Sequence, residues 1–201
     1  ISVNYIIINI VKYKNKQYYS LAGKFLIASP NISDPRFSQS LIYMISDTIE
    51  GSMGVIINKP ALNLSNIFFD LNEHQLNREP KFNIHYGGPV EFDKGFVLHS
   101  NDYKSDKEKT ILKDNLVLSS NKEILKDLSL GKGPSKFIVL IGYSGWSSQQ
   151  LNKELKENSW LIANVNKNIL FSKNYELKWK SALKTVGLKD EKLQSFKFSN
   201  Y

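Results

Sequence analysis

The sequence predicts a single α+β domain built on a mixed β-sheet. Short apolar runs of strand length dominate the first two-thirds of the chain. Segments with helical spacing interrupt these runs without alternating strictly with them, which disfavours a doubly wound α/β fold. The chain has 201 residues, 41% of them hydrophobic, and this length and composition suit one domain with a substantial core.

The start of the chain is set apart from the rest. Residues 1–20 combine an apolar stretch with several lysines and are interpreted as an N-terminal arm or an edge strand, so the domain proper spans 21–201. Within the domain, Asp34 followed by Pro35 has the pattern of an N-cap and the first position of a short helical turn.

Five strands are predicted in the first half of the domain. The 47–52 loop joins two of them as a hairpin, and Pro60 ends the second because it cannot donate to a β-ladder. The Gly87–Gly88 pair is interpreted as a second hairpin turn, or alternatively as a nest of backbone N–H groups for an anion. The strands are expected at 24–28, 40–46, 54–58, 82–86 and 95–99.

The second half of the domain carries more helix. Ser120 and Ser147 each begin an S-x-x-E or S-x-x-Q pattern, so both are predicted to cap helices. An apolar run at 137–141 predicts a buried strand, and the 142–146 segment with its two glycines predicts a tight turn. Further helices are expected at 64–71 and 175–186, and further strands within 110–118 and at 160–164 and 168–171.

The composition excludes several classes of function. The absence of cysteine excludes disulfides, thiol nucleophiles and cysteine-based metal sites, and it fits a reducing, cytoplasmic compartment. No apolar run reaches the length of a membrane-spanning helix, and no motif for a cofactor or a metal is present. The net charge of +8 comes almost entirely from lysines scattered along the chain, with only two arginines. This pattern favours a solvated basic surface over sequence-specific DNA binding.

The strand-to-turn segment around Ser144 resembles a nucleophile elbow only in part. The G-x-S-x-G pattern lacks its last glycine, because Trp146 stands there, and no histidine follows Ser144 in the chain. Ser144 is therefore interpreted as a turn residue. His85 and His99 would lie close together if their strands paired, but two histidines make a weak metal signal, and both are expected to be half-buried strand residues bonded to the backbone.

Five ordered motifs carry a resemblance to a known family. They are GKFLIASP at 23–30 with DPRF at 34–37, GSMGVIINKP at 51–60, YGGPV at 86–90 with GFVLH at 95–99, GYSGW at 142–146, and ENSW at 157–160. In these residues the chain resembles the YqgE/AlgH family of bacterial proteins. The resemblance implies an α+β fold with a barrel-like sheet flanked by helices. It also implies a role as a transcriptional regulator of exopolysaccharide synthesis, but no settled enzymatic activity.

The chain departs from the family pattern in the GYSGW segment. The family usually has alanine at the position of Ser144, which argues against a shared nucleophile there. Where the family has a glycine- and proline-rich run, this chain has Ser147, Ser148 and Gln149. A function that the family assigns to that loop therefore need not apply to this chain.

Three functional hypotheses follow. The first is a non-catalytic binding or regulatory protein with a small-molecule or protein partner. The second is a hydrolase-like enzyme that uses His99 as a base and the Gly87–Gly88 amides as an anion site, and the third is a scaffold for a protein partner. No oligomeric state is predicted. The motif loops supply the candidate cleft, which consists of Asp34, Arg36, Asn58, Lys59, Gly87, Gly88, His99, Gly145 and Trp146.

Overall fold

The computed structural model describes residues 19–61, 82–104 and 109–188. The predicted N-terminal arm, apart from its last two residues, and the predicted 64–71 helix lie outside these ranges. So does His74. The division of the chain at residue 20 stays a prediction.

Nine strands in the described ranges form one curled, half-barrel sheet. Their order across the sheet is β6-β7-β5-β8-β3-β2-β1-β9, and β4 pairs with β8 beside this path. The strands are β1 (Lys24–Ala28), β2 (Leu41–Asp47), β3 (Gly51–Ile56), β4 (Ile84–Tyr86), β5 (Val90–Ser100), β6 (Lys109–Leu112), β7 (Leu116–Ser119), β8 (Phe137–Ser147) and β9 (Trp160–Asn164).

Four α-helices accompany the sheet in the described ranges. They are α1 (Lys122–Ser129), α2 (Gln150–Lys156), α3 (Lys167–Leu170) and α4 (Tyr175–Thr185), with short 3-10 turns at Pro35–Phe37 and Lys113–Asn115. None of these helices is both long and apolar enough to cross a membrane. The predicted α+β class with a mixed sheet is confirmed, because β4 runs parallel to β8 and every other strand pairing is antiparallel.

Three apolar clusters fill the two faces of the sheet. The largest joins side chains from β1, β2, β3, β5, β7, β8 and β9 with Trp179 and Leu183 of α4, so the sheet curls around α4. On the opposite face, α2 covers one half of the sheet through Leu151, and α1 covers the other half through Ile124 and Leu128. Each helix thus buries its apolar stripe against one region of the sheet.

β8 is longer than predicted and changes partners along its length. Residues 137–141 lie between β5 and β4, whereas 144–147 pair with β3. The predicted turn at 142–146 was wrong, because these residues continue the strand and only Gly142, with a φ of 70°, departs from extended geometry. The predicted hairpin at Gly87–Gly88 was also wrong. β4 and β5 both pair with β8, on its two sides, rather than with each other.

Other local predictions had mixed outcomes. β1 and β9 match their predicted bounds, and α4 ends one residue early, before Gly187 with its φ of 83°. The strand predicted at 168–171 is helix α3 instead. The cap of α1 is Asn121 rather than Ser120, because the Asn121 side chain accepts the N–H of Ile124. Ser147 belongs to β8 and caps nothing.

Candidate functional site

The 34–37 turn presents an arginine held by its own cap residue. Asp34 accepts the backbone N–H of Arg36 at 2.9 Å, and Pro35 fills the first helical position, as the sequence predicts. The Arg36 guanidinium also donates to the Asp34 carboxylate, with Nη2 2.7 Å from Oδ2 and Nε 3.1 Å from both oxygens. These bonds from Arg36 lower the pKa of the Asp34 carboxyl, and they raise the pKa of the guanidinium in return. Arg36 remains exposed, and its Nη1 is not used by Asp34.

The end of β3 brings a lysine to the same place. Asn58 fixes the backbone here, because its side chain accepts the N–H of Leu41 at 2.8 Å and donates to the carbonyl of Gln39 at 2.9 Å. The next residue, Lys59, donates its ammonium to the carbonyl of Arg36 at 2.6 Å. Partial burial lowers the pKa of Lys59, and the nearby Asp34 carboxylate opposes that shift.

An aromatic pair that the sequence did not single out lies beside these charges. Tyr86 of β4 and Phe92 of β5 stack with their ring centroids 5.8 Å apart and their planes 26° apart. Burial raises the pKa of the Tyr86 hydroxyl, while the charge of Arg36 lowers it and that of Asp34 raises it, so both groups lie near this ring. Phe92 keeps 49% of its surface exposed. We call Asp34, Arg36, Lys59, Tyr86 and Phe92 together the Arg36 surface.

The two glycines of the YGGPV motif are buried and serve backbone packing. The N–H of Gly87 donates to the carbonyl of Ile141 at 2.8 Å, so it is not free to bind an anion. A Cβ on Gly87 would stand 2.2 Å from the carbonyl oxygen of Gly142, and one on Gly88 would stand 2.2 Å from the carbonyl carbon of Tyr143. Glycine is needed here because two backbones touch.

Ser144 lies in the same contact. Its side chain is buried, and its hydroxyl donates to the carbonyl of Gly87 at 3.3 Å. The structure therefore gives Ser144 a partner in the backbone contact between β4 and β8, and this agrees with its interpretation as a structural residue.

Trp146 is buried behind the Arg36 surface. Its indole N–H donates to Oε2 of Glu154 at 2.9 Å, and the indole N–H of Trp160 donates to the same oxygen at 2.7 Å. The two indoles meet edge to face, and Phe37 packs in the same way on Trp160. Tyr86 belongs to the same apolar cluster. Trp146 therefore supports the surface from below, and of its motif only Gly145 is exposed.

His99 lies apart from the other candidate residues. It is 1% exposed on the face of the sheet that α1 covers, where its ring nitrogens contact the carbonyl of Ser100 at 2.8 Å and the hydroxyl of Ser119 at 2.9 Å. Burial lowers the pKa of this imidazole. Strand register separates His99 from Gly87 by two strand spacings and about five residues along β8, or roughly 19 Å. The predicted cleft that includes both residues does not form.

Sequence reasoning placed most of the candidates in one region but missed some neighbours. The 34–37 turn, the segment at Asn58 and Lys59, and the Gly87–Gly88 pair converge beside the part of β8 that contains Ser144 and Trp146. Phe92 was missed because β5 begins earlier than its apolar pattern indicates. Glu154 was missed because no sequence pattern links it to the two tryptophans. It lies eight positions after Trp146 and six before Trp160, and the three residues belong to a strand, a helix and another strand. Among the described residues, no three acidic or histidine side chains are grouped as metal ligands.

Comparison with known sequences identifies a family. Residues 25–191 match the family model described as AlgH-like. The chain is 40% identical over 179 residues to a UPF0301 protein of Rickettsia canadensis, and the match covers 87% of this chain and 93% of that protein. A UPF0301 protein of Rickettsia prowazekii is 39% identical over 179 residues, and this match also covers 87% of this chain and 93% of that protein.

Solved structures agree with this match. The solution structure of the AlgH protein from Pseudomonas aeruginosa is similar with a TM-score of 0.73 and 33% identity, covering 91% of this chain and 97% of that one. A crystal structure of a Corynebacterium diphtheriae protein has the same fold with a TM-score of 0.64 at 16% identity, covering 91% of this chain and 94% of that one. The resemblance drawn from the five motifs is confirmed, and the chain belongs to the AlgH-like family, also known as the YqgE/AlgH family.

Proposed function

We propose that this chain is a non-catalytic regulatory protein that binds an anionic ligand carrying an aromatic ring at the Arg36 surface. The observation that carries the proposal is the contact between the Lys59 ammonium and the Arg36 carbonyl. It brings the Lys59 ammonium to the turn that carries the Arg36 guanidinium, which is held by Asp34. That guanidinium lies near the ring of Tyr86, and Tyr86 stacks on Phe92.

The chemistry of these groups favours such a ligand. A guanidinium and an ammonium bind phosphate or carboxylate groups through charge-assisted hydrogen bonds. The exposed ring of Phe92 offers a face for stacking, and stacking of a base on an aromatic side chain is worth about 1–3 kcal/mol. The bonds of Asn58 to the start of β2 and of Glu154 to the two indoles hold the surface rigid beforehand, which reduces the ordering cost of binding.

A hydrolase-like activity draws no support from the described residues. The base of that hypothesis, His99, is buried under α1, and the N–H of Gly87 is already bonded. A role in transcription, which the family resemblance implies, would on this view pass through the bound ligand or a protein partner. Bidentate reading of bases favours arginine, and this chain has only two. We place the protein in the cytoplasm, because a chain of 201 residues without cysteine fits a reducing compartment.

The proposal is tested by titrating the protein with adenosine monophosphate, adenosine and inorganic phosphate while recording NMR spectra. We expect the nucleotide to bind more tightly than either of its parts and to shift the ring signals of Tyr86 and Phe92. Arg36→Ala and Phe92→Ala should each weaken nucleotide binding by about tenfold. Lys153→Ala is the matched control, because Lys153 is also an exposed cation beside a carboxylate, 3.9 Å from Glu157, but on α2.

Two outcomes would contradict the proposal. One is nucleotide binding that Arg36→Ala and Lys153→Ala change equally. The other is the absence of any response of the Tyr86 and Phe92 rings to the nucleotide. Direct DNA reading is tested separately by gel shifts at several salt concentrations, where we expect no sequence preference.

A further inference from the structure

A cavity of about 540 Å³ opens at the N-terminus of α4, on the α4 face of the sheet, and its lining residue Pro60 directly follows Lys59 of the Arg36 surface in the chain. Pro60, Lys173, Asn174, Tyr175 and Glu176 line it. The side chain of Asn174 caps the helix by accepting the N–H of Leu177 at 3.3 Å. The N–H groups of the first helical residues, Tyr175 and Glu176, have no carbonyl partner within the helix. The positive end of the helix dipole therefore lies at the cavity.

Directly beneath the cavity lies a buried histidine. His85 is 2% exposed, and neither of its ring nitrogens has a hydrogen-bond partner among the residues that the structure describes. The carbonyls of Asn83 and Val139 lie near enough to favour its protonated form, yet not in bonding geometry. Two residues that line the cavity touch His85. Pro60 forms a β-bridge with it, and the ring of Tyr175 meets its imidazole edge to face at 4.5 Å.

A buried lysine lies on the other side of the same tyrosine. Lys178 is 1% exposed and donates to the carbonyls of Ile57 at 2.9 Å and Leu170 at 2.7 Å. Its ammonium lies 5.2 Å from the centroid of the Tyr175 ring. No carboxylate among the described residues pairs with it. A buried charge without a counter-charge is costly in a folded protein.

The expected protonation states reflect this missing counter-charge. Burial lowers the pKa of Lys178 to about 7. Burial, and secondarily the charge of Lys178, lowers the pKa of His85 to about 4. Among the described residues that line the cavity, the other charged groups are Lys173 and Glu176, which are opposite in sign. From α3, the Leu170 carbonyl accepts a hydrogen bond from Lys178.

We propose that the cavity, His85 and Lys178 form one binding site for a small anion, a phosphate or a carboxylate group, with the Tyr175 ring as its movable wall. Turning the Tyr175 side chain outward, which breaks the 3.4 Å hydrogen bond from the Asn83 amide to its hydroxyl, would extend the cavity to both buried groups. The Lys178 ammonium, the His85 imidazole and the first N–H groups of α4 then surround the anion with donors. The anion supplies the counter-charge that the described residues lack.

Binding at this site is coupled to protons. The anion favours the charged forms of Lys178 and His85, so it raises the pKa of both groups and takes up protons when it binds near neutral pH. We therefore expect tighter binding at pH 6.5 than at pH 8.5, because Lys178 is mostly protonated at the lower of these pH values.

The experiment is a titration with inorganic phosphate and, in a second arm, with succinate, followed through the NMR signals of the His85 ring. We expect one of the two anions to shift the His85 signals, more strongly at pH 6.5. Isothermal titration in buffers of different ionisation enthalpy should show the proton uptake. The two arms distinguish a phosphate site from a carboxylate site.

Variants separate this site from the rest of the molecule. Lys178→Met should weaken binding by about tenfold or more, whereas Lys180→Met, on the exposed face of the same helix, should leave it unchanged. Arg36→Ala should leave the His85 response intact even if nucleotide binding at the Arg36 surface is lost. If Lys178→Met does not fold, the His85 signals of the unmodified protein decide the question. The proposal is overturned if neither anion moves those signals at either pH, or if Lys180→Met weakens binding as much as Lys178→Met.

Discussion

Replacing Lys178 by methionine should change how the stability of the protein depends on pH. The folded protein holds this amine with a pKa of about 7, whereas the unfolded chain holds it near its ordinary value of 10.5. Between these two values the unfolded state binds one more proton than the folded state, so the free energy of unfolding rises with pH. Below pH 7 both states are protonated, and the contribution of this group is constant.

The magnitude follows from the shift in pKa. Each pH unit between the folded and unfolded values adds about 1.4 kcal/mol to the free energy of unfolding. From pH 7 to pH 9.5 Lys178 therefore contributes a rise of about 3 kcal/mol, and Lys178→Met should lack it. The methionine variant also leaves the carbonyls of Ile57 and Leu170 without a donor, which costs about 1–3 kcal/mol each. The loss of these bonds does not depend on pH, so the deficit in stability of Lys178→Met should be about 3 kcal/mol larger at pH 9 than at pH 6.

Urea unfolding at pH 6, 7.5 and 9, followed by tryptophan fluorescence, measures this difference. The signal is suitable because Trp146, Trp160 and Trp179 are all buried. The control is Lys180→Met, which should keep the rise seen in the unmodified protein. Parallel pH curves for the unmodified protein, Lys178→Met and Lys180→Met would refute the reasoning, because they would mean that the buried amine does not titrate near pH 7.

Two further substitutions test the support of the Arg36 surface. Glu154→Leu should lower the free energy of unfolding by about 3 kcal/mol in urea titrations, since two buried indole N–H groups lose their acceptor. Glu157→Leu, at an exposed position just beyond α2, should cost less than about 0.5 kcal/mol, and equal losses would show that the shared oxygen adds nothing. Gly87→Ala should prevent folding or cost more than about 3 kcal/mol by thermal melting, because its Cβ meets the carbonyl oxygen of Gly142. A Cβ on Gly131, where φ is 71°, meets no described atom within 4 Å, so Gly131→Ala should cost only about 1 kcal/mol, and a similar loss in both variants would contradict the steric role of the Gly87 contact.

Local patterns in the sequence predicted much of the fold. β1, β9 and α4 were found because apolar spacing and end signals agreed with each other in these segments. The segment 168–171 was assigned to a strand because four residues hold too little periodicity, and Asn166 had not been recognised as the cap of α3. Strand pairing was the harder problem. The parallel pairing of β4 with β8 depends on a contact between residues more than fifty positions apart, and no local signal reports it.

The candidate site itself stays a prediction. The turn chemistry of Asp34 and Pro35 and the motif around Lys59 singled out two segments that the bond from Lys59 to the Arg36 carbonyl brings into contact. His99 was misplaced because motif membership says nothing about which face of a sheet a side chain takes. His85 and Lys178 could not be linked from sequence, since the bond of Lys178 to the carbonyl of Ile57 spans 121 positions.

The change of partners along β8 has a consequence for how the molecule comes apart. In the strand order of the sheet, β8 lies between β5 and β3. The region of the sheet that α1 covers and the region that α2 covers are therefore joined through this one strand. If β8 leaves one region by local unfolding, the other region loses the hydrogen bonds that it makes to β8. We therefore expect a single cooperative transition, in which the amide protons of 138–146 exchange with solvent only when the whole domain opens.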